Sequence, residues 1–169
     1  MPSPVSLGEM PRGLTMTTRD EGFARASVRA VFNVVRDVEK WPSHLSHYRW
    51  VRFVERDSTA GGIVEMSADR PFGPFGWPTF WRSLMEVDES RPAVRFRHIG
   101  GITTGMEVEW AFEPADAGTH ITLLHEWNGP RWPIIGGAAA KTVIGPVFVH
   151  GIASRTLAGL VRVAEGARK

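Results

Sequence analysis

The sequence predicts an α+β domain: a curved antiparallel β-sheet of about seven strands wrapped around one long C-terminal α-helix, with two short helices after the first strand. Three observations carry this. Between residues 48 and 127, short strand-like segments are separated by glycine- and aspartate-containing turns, and strands joined by short turns pair antiparallel. Ahead of them, Val31, Val34, Val35 and Val38 recur at helical spacing. Behind them, Val149, Ile152, Ala153, Thr156, Leu157, Leu160, Val161 and Ala164 mark one apolar helical face. A sheet with one apolar face must bury it, and this last helix is the long apolar element available.

Each element has a local reason. Residues 1–15 have no apolar run of the kind that a signal peptide needs and read as a flexible tail before a single domain at 16–169. Residues 16–26 form the first strand. Ser27 is an N-cap for the first helix. Asp37 caps a second short helix that ends near Trp41-Pro42, because a residue before proline resists the helical region. Residues 48–57 and 63–69 are strands joined by a turn at 59–62. Residues 70–78 (RPFGPFGWP) are too rich in proline and glycine for a central strand and read as a loop that exposes Phe72, Phe75 and Trp77. Strands follow at 79–88 and 93–99, with a turn at Gly100-Gly101. Residues 103–113 alternate most clearly: Met106, Val108, Trp110 and Phe112 face one way and Glu107, Glu109 and Glu113 the other. In residues 119–127, Ile121, Leu123, His125 and Trp127 share a face. Gly151, Ala153, Ala158 and Gly159 give the last helix low-volume positions. Either they seat it closely on the sheet or they leave a gap beneath it.

Composition excludes several classes. The 20 Lys+Arg nearly balance 18 Asp+Glu and are scattered along the chain, so no basic stripe points to nucleic acid. There is no cysteine, hence no disulfide, thiol nucleophile or cysteine-ligated metal. No apolar run approaches the ~18 residues of a membrane-spanning helix, and a cytoplasmic location is expected. Phosphate-binding glycine loops and the GxSxG elbow are absent.

Three stretches carry a family resemblance. Residues 24–42 (ARASVRAVFNVVRDVEKWP) run from a strand through a helix to a Trp-Pro corner. Residues 107–127 (EVEWAFEPADAGTHITLLHEW) form a hairpin with Trp-x-Phe-x-Pro before an acidic turn. Residues 148–165 (FVHGIASRTLAGLVRVAE) supply the ending. Over roughly residues 16–166 the chain resembles the helix-grip superfamily, START or Bet v 1-like (SRPBCC), and within it the polyketide cyclase/dehydrase group. The resemblance implies a cavity between the concave sheet and the long helix for apolar, often polycyclic ligands. It also implies cyclisation or dehydration chemistry that depends mainly on folding the substrate, without metal or redox cofactor. The competing functions are a non-catalytic carrier for a lipid, quinone or other hydrophobic metabolite, and an interaction module built on the aromatic loop. Homodimerisation stays open.

His98 and His125 each lie on an apolar strand face and are candidate proton-transfer groups; a buried, hydrogen-bonded structural histidine is the alternative. Tyr48 is a candidate donor to a substrate oxygen. With His44 and His47 it borders the expected cavity mouth, or else a surface corner. The two histidines are three apart, but no carboxylate completes a metal site. Arg82 is a candidate for binding an enolate or carboxylate, although strand parity with Trp81, Ser83 and Met85 inward would turn it outward. Trp81, Met106, Trp110, Trp127, Ile152 and Thr156 are candidate ligand contacts, and Trp77 a lid residue.

Overall fold

The structure, a computed structural model, describes residues 3–70, 77–130 and 149–166, with the backbone alone at Arg70 and Trp77. Its elements are β1 (Met16–Ala24), α1 (Val28–Arg36), a 3-10 turn (Val38–Lys40), α2 (Trp41–His44), β2 (Tyr48–Arg56), β3 (Gly62–Arg70), β4 (Trp77–Asp88), β5 (Ala93–Gly101), β6 (Glu107–Ala115), β7 (Gly118–Trp127) and α3 (His150–Gly166). The seven strands form one antiparallel sheet in the order β1-β7-β6-β5-β4-β3-β2. Strands β2 through β7 each pair with the next in sequence, and β1 closes against β7 as the first strand of the chain. Among the described residues no helix is long and apolar enough to cross a membrane.

The helices form where their signals lie. The Ser27 hydroxyl accepts from Ala30 N at 3.3 Å and starts α1. Val31, Phe32 and Val35 then face the sheet, with Phe32 edge-on to Phe112 at 6.0 Å between ring centroids. At Trp41-Pro42 the expectation is corrected. Proline opens α2 instead of ending a helix, because the first helical turn needs no N–H from it. Trp41 is thereby driven into the core against Tyr48, Phe96 and Trp110.

The small residues of α3 divide the two roles left open above. Gly159 lies against the Leu45 side chain, and a Cβ on Gly22 of β1 would come within 3.1 Å of Leu157, so here helix and sheet approach closely. One turn nearer the helix start, Ala153 borders open space. The helix therefore grips the sheet along its C-terminal half and stands off it at its N-terminal end.

Two irregularities set side-chain direction. Between Tyr48 and Trp50 the β2–β3 register shifts, so Arg49 is an extra residue. That bulge lets Tyr48 and Val51, three apart, both point inward. In β5, Ile99 is skipped in the pairing with β4, and Gly101 takes φ +93° where a Cβ would strike the Phe80 carbonyl. Strands β3 and β4 also run further than the sequence suggests. Arg70 pairs with Trp77, so Trp77 and Pro78 belong to β4 and not to a loop. Phe72 and Phe75 lie outside the described residues.

Residues 5–15, expected as a tail, lie across the outer face of the sheet. Leu7 is buried, Val5 N donates to Asp57 at 2.9 Å, and Gly13 N and Leu14 N donate to the two carboxylate oxygens of Glu126 at 3.2 and 2.9 Å. These anchors are main-chain hydrogen bonds and leave no periodic trace in the sequence.

Candidate functional site

Between the concave sheet face and the first turns of α3 lies a cavity of about 80 Å³. One water centre needs only ~10–15 Å³ on the same measure, so this space holds more than an isolated water. Strands β2 to β7 supply Tyr48, Met66, Trp81, Phe96, His98, Val108, Trp110, Leu123 and His125; Trp41 comes from α2 and Met106 from the turn before β6. Val149, Ile152, Ala153 and Thr156 close it from the helix side. Among the described residues no charged side chain lines it, and no group of three metal-ligating side chains clusters anywhere.

The two histidines come together here from different strands. His98 alternates inward with Val94 and Phe96. Its Nδ1 meets the Thr103 hydroxyl at 2.7 Å, and its ring stacks on Trp81 with centroids 6.1 Å apart. The Nδ1 of His125 meets the Thr18 hydroxyl of β1 at 3.2 Å. Burial pushes His98 down to about 3, helped by neighbouring His125, and burial alone pushes His125 down to about 4. Charging an imidazole in an apolar surrounding costs hydration that a threonine hydroxyl does not restore. Both rings are therefore neutral at physiological pH, each held from behind by a threonine.

A second polar cluster is built on Thr156. Its hydroxyl donates to the Ile152 carbonyl one helical turn back, at 2.8 Å. A hydroxyl has one proton, so its remaining contacts must be donated to it. His47 Nε2, 3.0 Å away, therefore carries the ring proton. Tyr48 is hydrogen-bonded to the same Thr156 hydroxyl, a partner more than a hundred residues away. Burial also raises its pKa, so it stays un-ionised.

Other candidates fall elsewhere. Arg82 points to the outer face, about half exposed, where Glu65 ties it to Arg52, which approaches the same carboxylate at 2.7 Å; it is not a cavity group. The parity of β4, with Trp81 and Ser83 inward, dictates this. His44 is exposed, and His47 is half-buried behind Thr156 and reaches the cavity only through it. Trp127 is buried but does not line the cavity; its indole N–H donates to the Thr104 carbonyl at 3.0 Å and pins the β5–β6 turn. The Trp77 side chain lies outside the described residues. Trp81, Met106, Trp110, Ile152 and Thr156 all line the space.

Sequence reasoning missed Asp20. It faces inward from β1 two residues after Thr18, and its carboxylate meets His150 Nδ1, at the start of α3, at 2.7 Å. Burial raises its pKa although His150 opposes the shift. Within TTRDEGFA it looks like a solvated strand residue, and only the inward register of Thr18 signals otherwise.

The comparisons agree with this architecture. A family model described as polyketide cyclase / dehydrase and lipid transport matches residues 25–145. No curated protein matches the sequence. Among solved structures, TTHA0849 from Thermus thermophilus is 22% identical with a TM-score of 0.74, covering 90% of this chain and 99% of its own. The ZhuI aromatase/cyclase from Streptomyces sp. R1128 is 18% identical with a TM-score of 0.77, covering 90% and 95%. A START superfamily protein from Mycobacterium smegmatis is 14% identical with a TM-score of 0.65, covering 90% and 96%. At such identities the likeness is one of fold. The family match over most of the sequence shows that this chain belongs to the polyketide cyclase / dehydrase and lipid transport family.

Proposed function

We propose that the protein binds an apolar, oxygen-bearing small molecule, of polyketide or aromatic type, in the helix–sheet cavity and promotes its cyclisation or dehydration. One observation carries the reading: an apolar cavity with no charged side chain in its described lining, where His98, His125 and Tyr48 each pair with a threonine. Aldol closure of a β-ketone chain needs little more than this. The α-carbon loses a proton, a carbon–carbon bond forms at the carbonyl carbon, and the carbonyl oxygen gains a proton; dehydration then releases water. Holding the two carbons in contact supplies much of the rate. In this reading a neutral imidazole N–H of His98 or His125 orients and polarises a carbonyl oxygen, and the Tyr48 hydroxyl hydrogen-bonds a second ligand oxygen.

The same histidines favour a second reading. Rings that ionise only at about 3 and 4 are weak bases at neutral pH, which suits a carrier that orients a ligand without transforming it. Incubating the protein with a linear poly-β-ketone surrogate separates the two. The catalytic reading expects cyclised product ratios to differ from the protein-free reaction and to revert in His125→Gln and Tyr48→Phe. Ratios unchanged by the wild-type protein would leave carriage alone.

A further inference from the structure

The outer face of β4–β7 is charged and yet buried. Arg95 and Glu107 have side chains only 6% and 8% exposed, and Glu126 is 2% exposed. What covers them is the chain's own N-terminal segment. The sheet reads that segment largely through its backbone, with the side chains of Met10, Arg12 and Thr15 meeting Arg95, Glu109 and Asn128. Carboxylates of Asp57, Glu86 and Glu126 accept from the N–H groups of Val5, Leu7, Gly13 and Leu14, while the guanidiniums of Arg95 and Arg97 donate to the carbonyls of Gly8 and Leu7. The segment joins no strand ladder, and its fully buried apolar anchor is Leu7. Gly8 and Gly13, at φ +69° and +68°, bend it away from the line of β1.

We propose that this face is a docking groove for an extended peptide, and that its partner in trans is the N-terminal segment of a second copy of this chain. The groups that hold the segment are main-chain groups, the buried Leu7, and the side chains of Met10, Arg12 and Thr15 at fixed places along it. The same stretch of another copy presents them identically. In the single chain the tethered segment competes at an effective concentration on the order of millimolar, which keeps the groove occupied in cis. Weakening the cis anchor opens it. A buried leucine is worth about a 10- to 100-fold change in such an equilibrium.

The test uses the full-length protein and a fluorescent synthetic peptide of residues 3–15, read by anisotropy. Full-length Leu7→Asp protein, confirmed folded by near-ultraviolet circular dichroism, is expected to bind the peptide at least ~10-fold more tightly than wild-type protein, whose own segment competes. A scrambled peptide is expected not to bind. Should Leu7→Asp fail to fold, Leu7→Ala provides the same comparison. No binding by the folded variant overturns the proposal, and so does equal binding of the scrambled peptide.

Discussion

Neutral imidazoles sealed in an apolar cavity make stability depend on pH in a direction that the structure dictates. In the unfolded chain His98 and His125 take up protons near their ordinary value of 6.5; in the folded chain they do so only near 3 and 4. Above pH 6.5 both states hold the rings neutral and nothing is lost. Below it the unfolded state binds protons that the folded state refuses, so stability falls as pH drops toward the folded values. At about pH 5 the unfolded chain is protonated and the folded chain is not, a gap of about 1.5 pH units or ~2 kcal/mol per histidine. Together they remove ~4 kcal/mol, a large part of a typical domain's 5–15 kcal/mol. His47, whose pKa burial also lowers, acts in the same direction, whereas Asp20, whose pKa burial raises, acts against it. The assay therefore compares differences: urea unfolding at about pH 8 and about pH 5 for the wild type, His98→Gln and His125→Gln. Each variant should lose ~2 kcal/mol less than the wild type over that interval. Equal pH dependence in all three would refute the argument that the rings are buried without a charge partner.

Other perturbations separate the cavity from its surroundings. Arg82→Ala should leave ligand binding unchanged and cost at most ~1 kcal/mol in thermal unfolding, since Glu65 keeps Arg52. Thr156→Val removes the hydrogen-bond partner of both His47 and Tyr48 and should cost ~1–3 kcal/mol in urea unfolding. Gly101→Ala meets both a positive φ and the Phe80 carbonyl, and chemical denaturation should register a loss of ~2 kcal/mol or more.

The strands and the long helix were legible because periodicity reports one buried face, and β6 and α3 keep that period throughout. Legibility failed where the period broke. The bulge at Arg49 turns Tyr48 inward out of phase with Val51, and no composition signal marks it. It failed again where a role depends on a distant partner. Thr18 lies 107 residues from His125, and Thr156 lies 109 from His47, so the partner of neither ring could be read from spacing. Parity did place Arg82 outside, and the chemical appeal of a guanidinium outweighed it. Glu126 alternates with His125 and faces away from it, but its burial under the N-terminal segment has no local cue.

The central claim is that α3 stands off the sheet at its N-terminal end and leaves a space that an apolar ligand enters. Equilibrium titration of 1-naphthol, followed by tryptophan fluorescence, tests it most directly when wild type is set beside Ala153→Trp, which places an indole where Ala153 now borders the cavity. Saturable one-to-one binding by the wild type, abolished in a variant that keeps its near-ultraviolet spectrum, is the predicted result. Undiminished binding by Ala153→Trp, or none by the wild type, would contradict it.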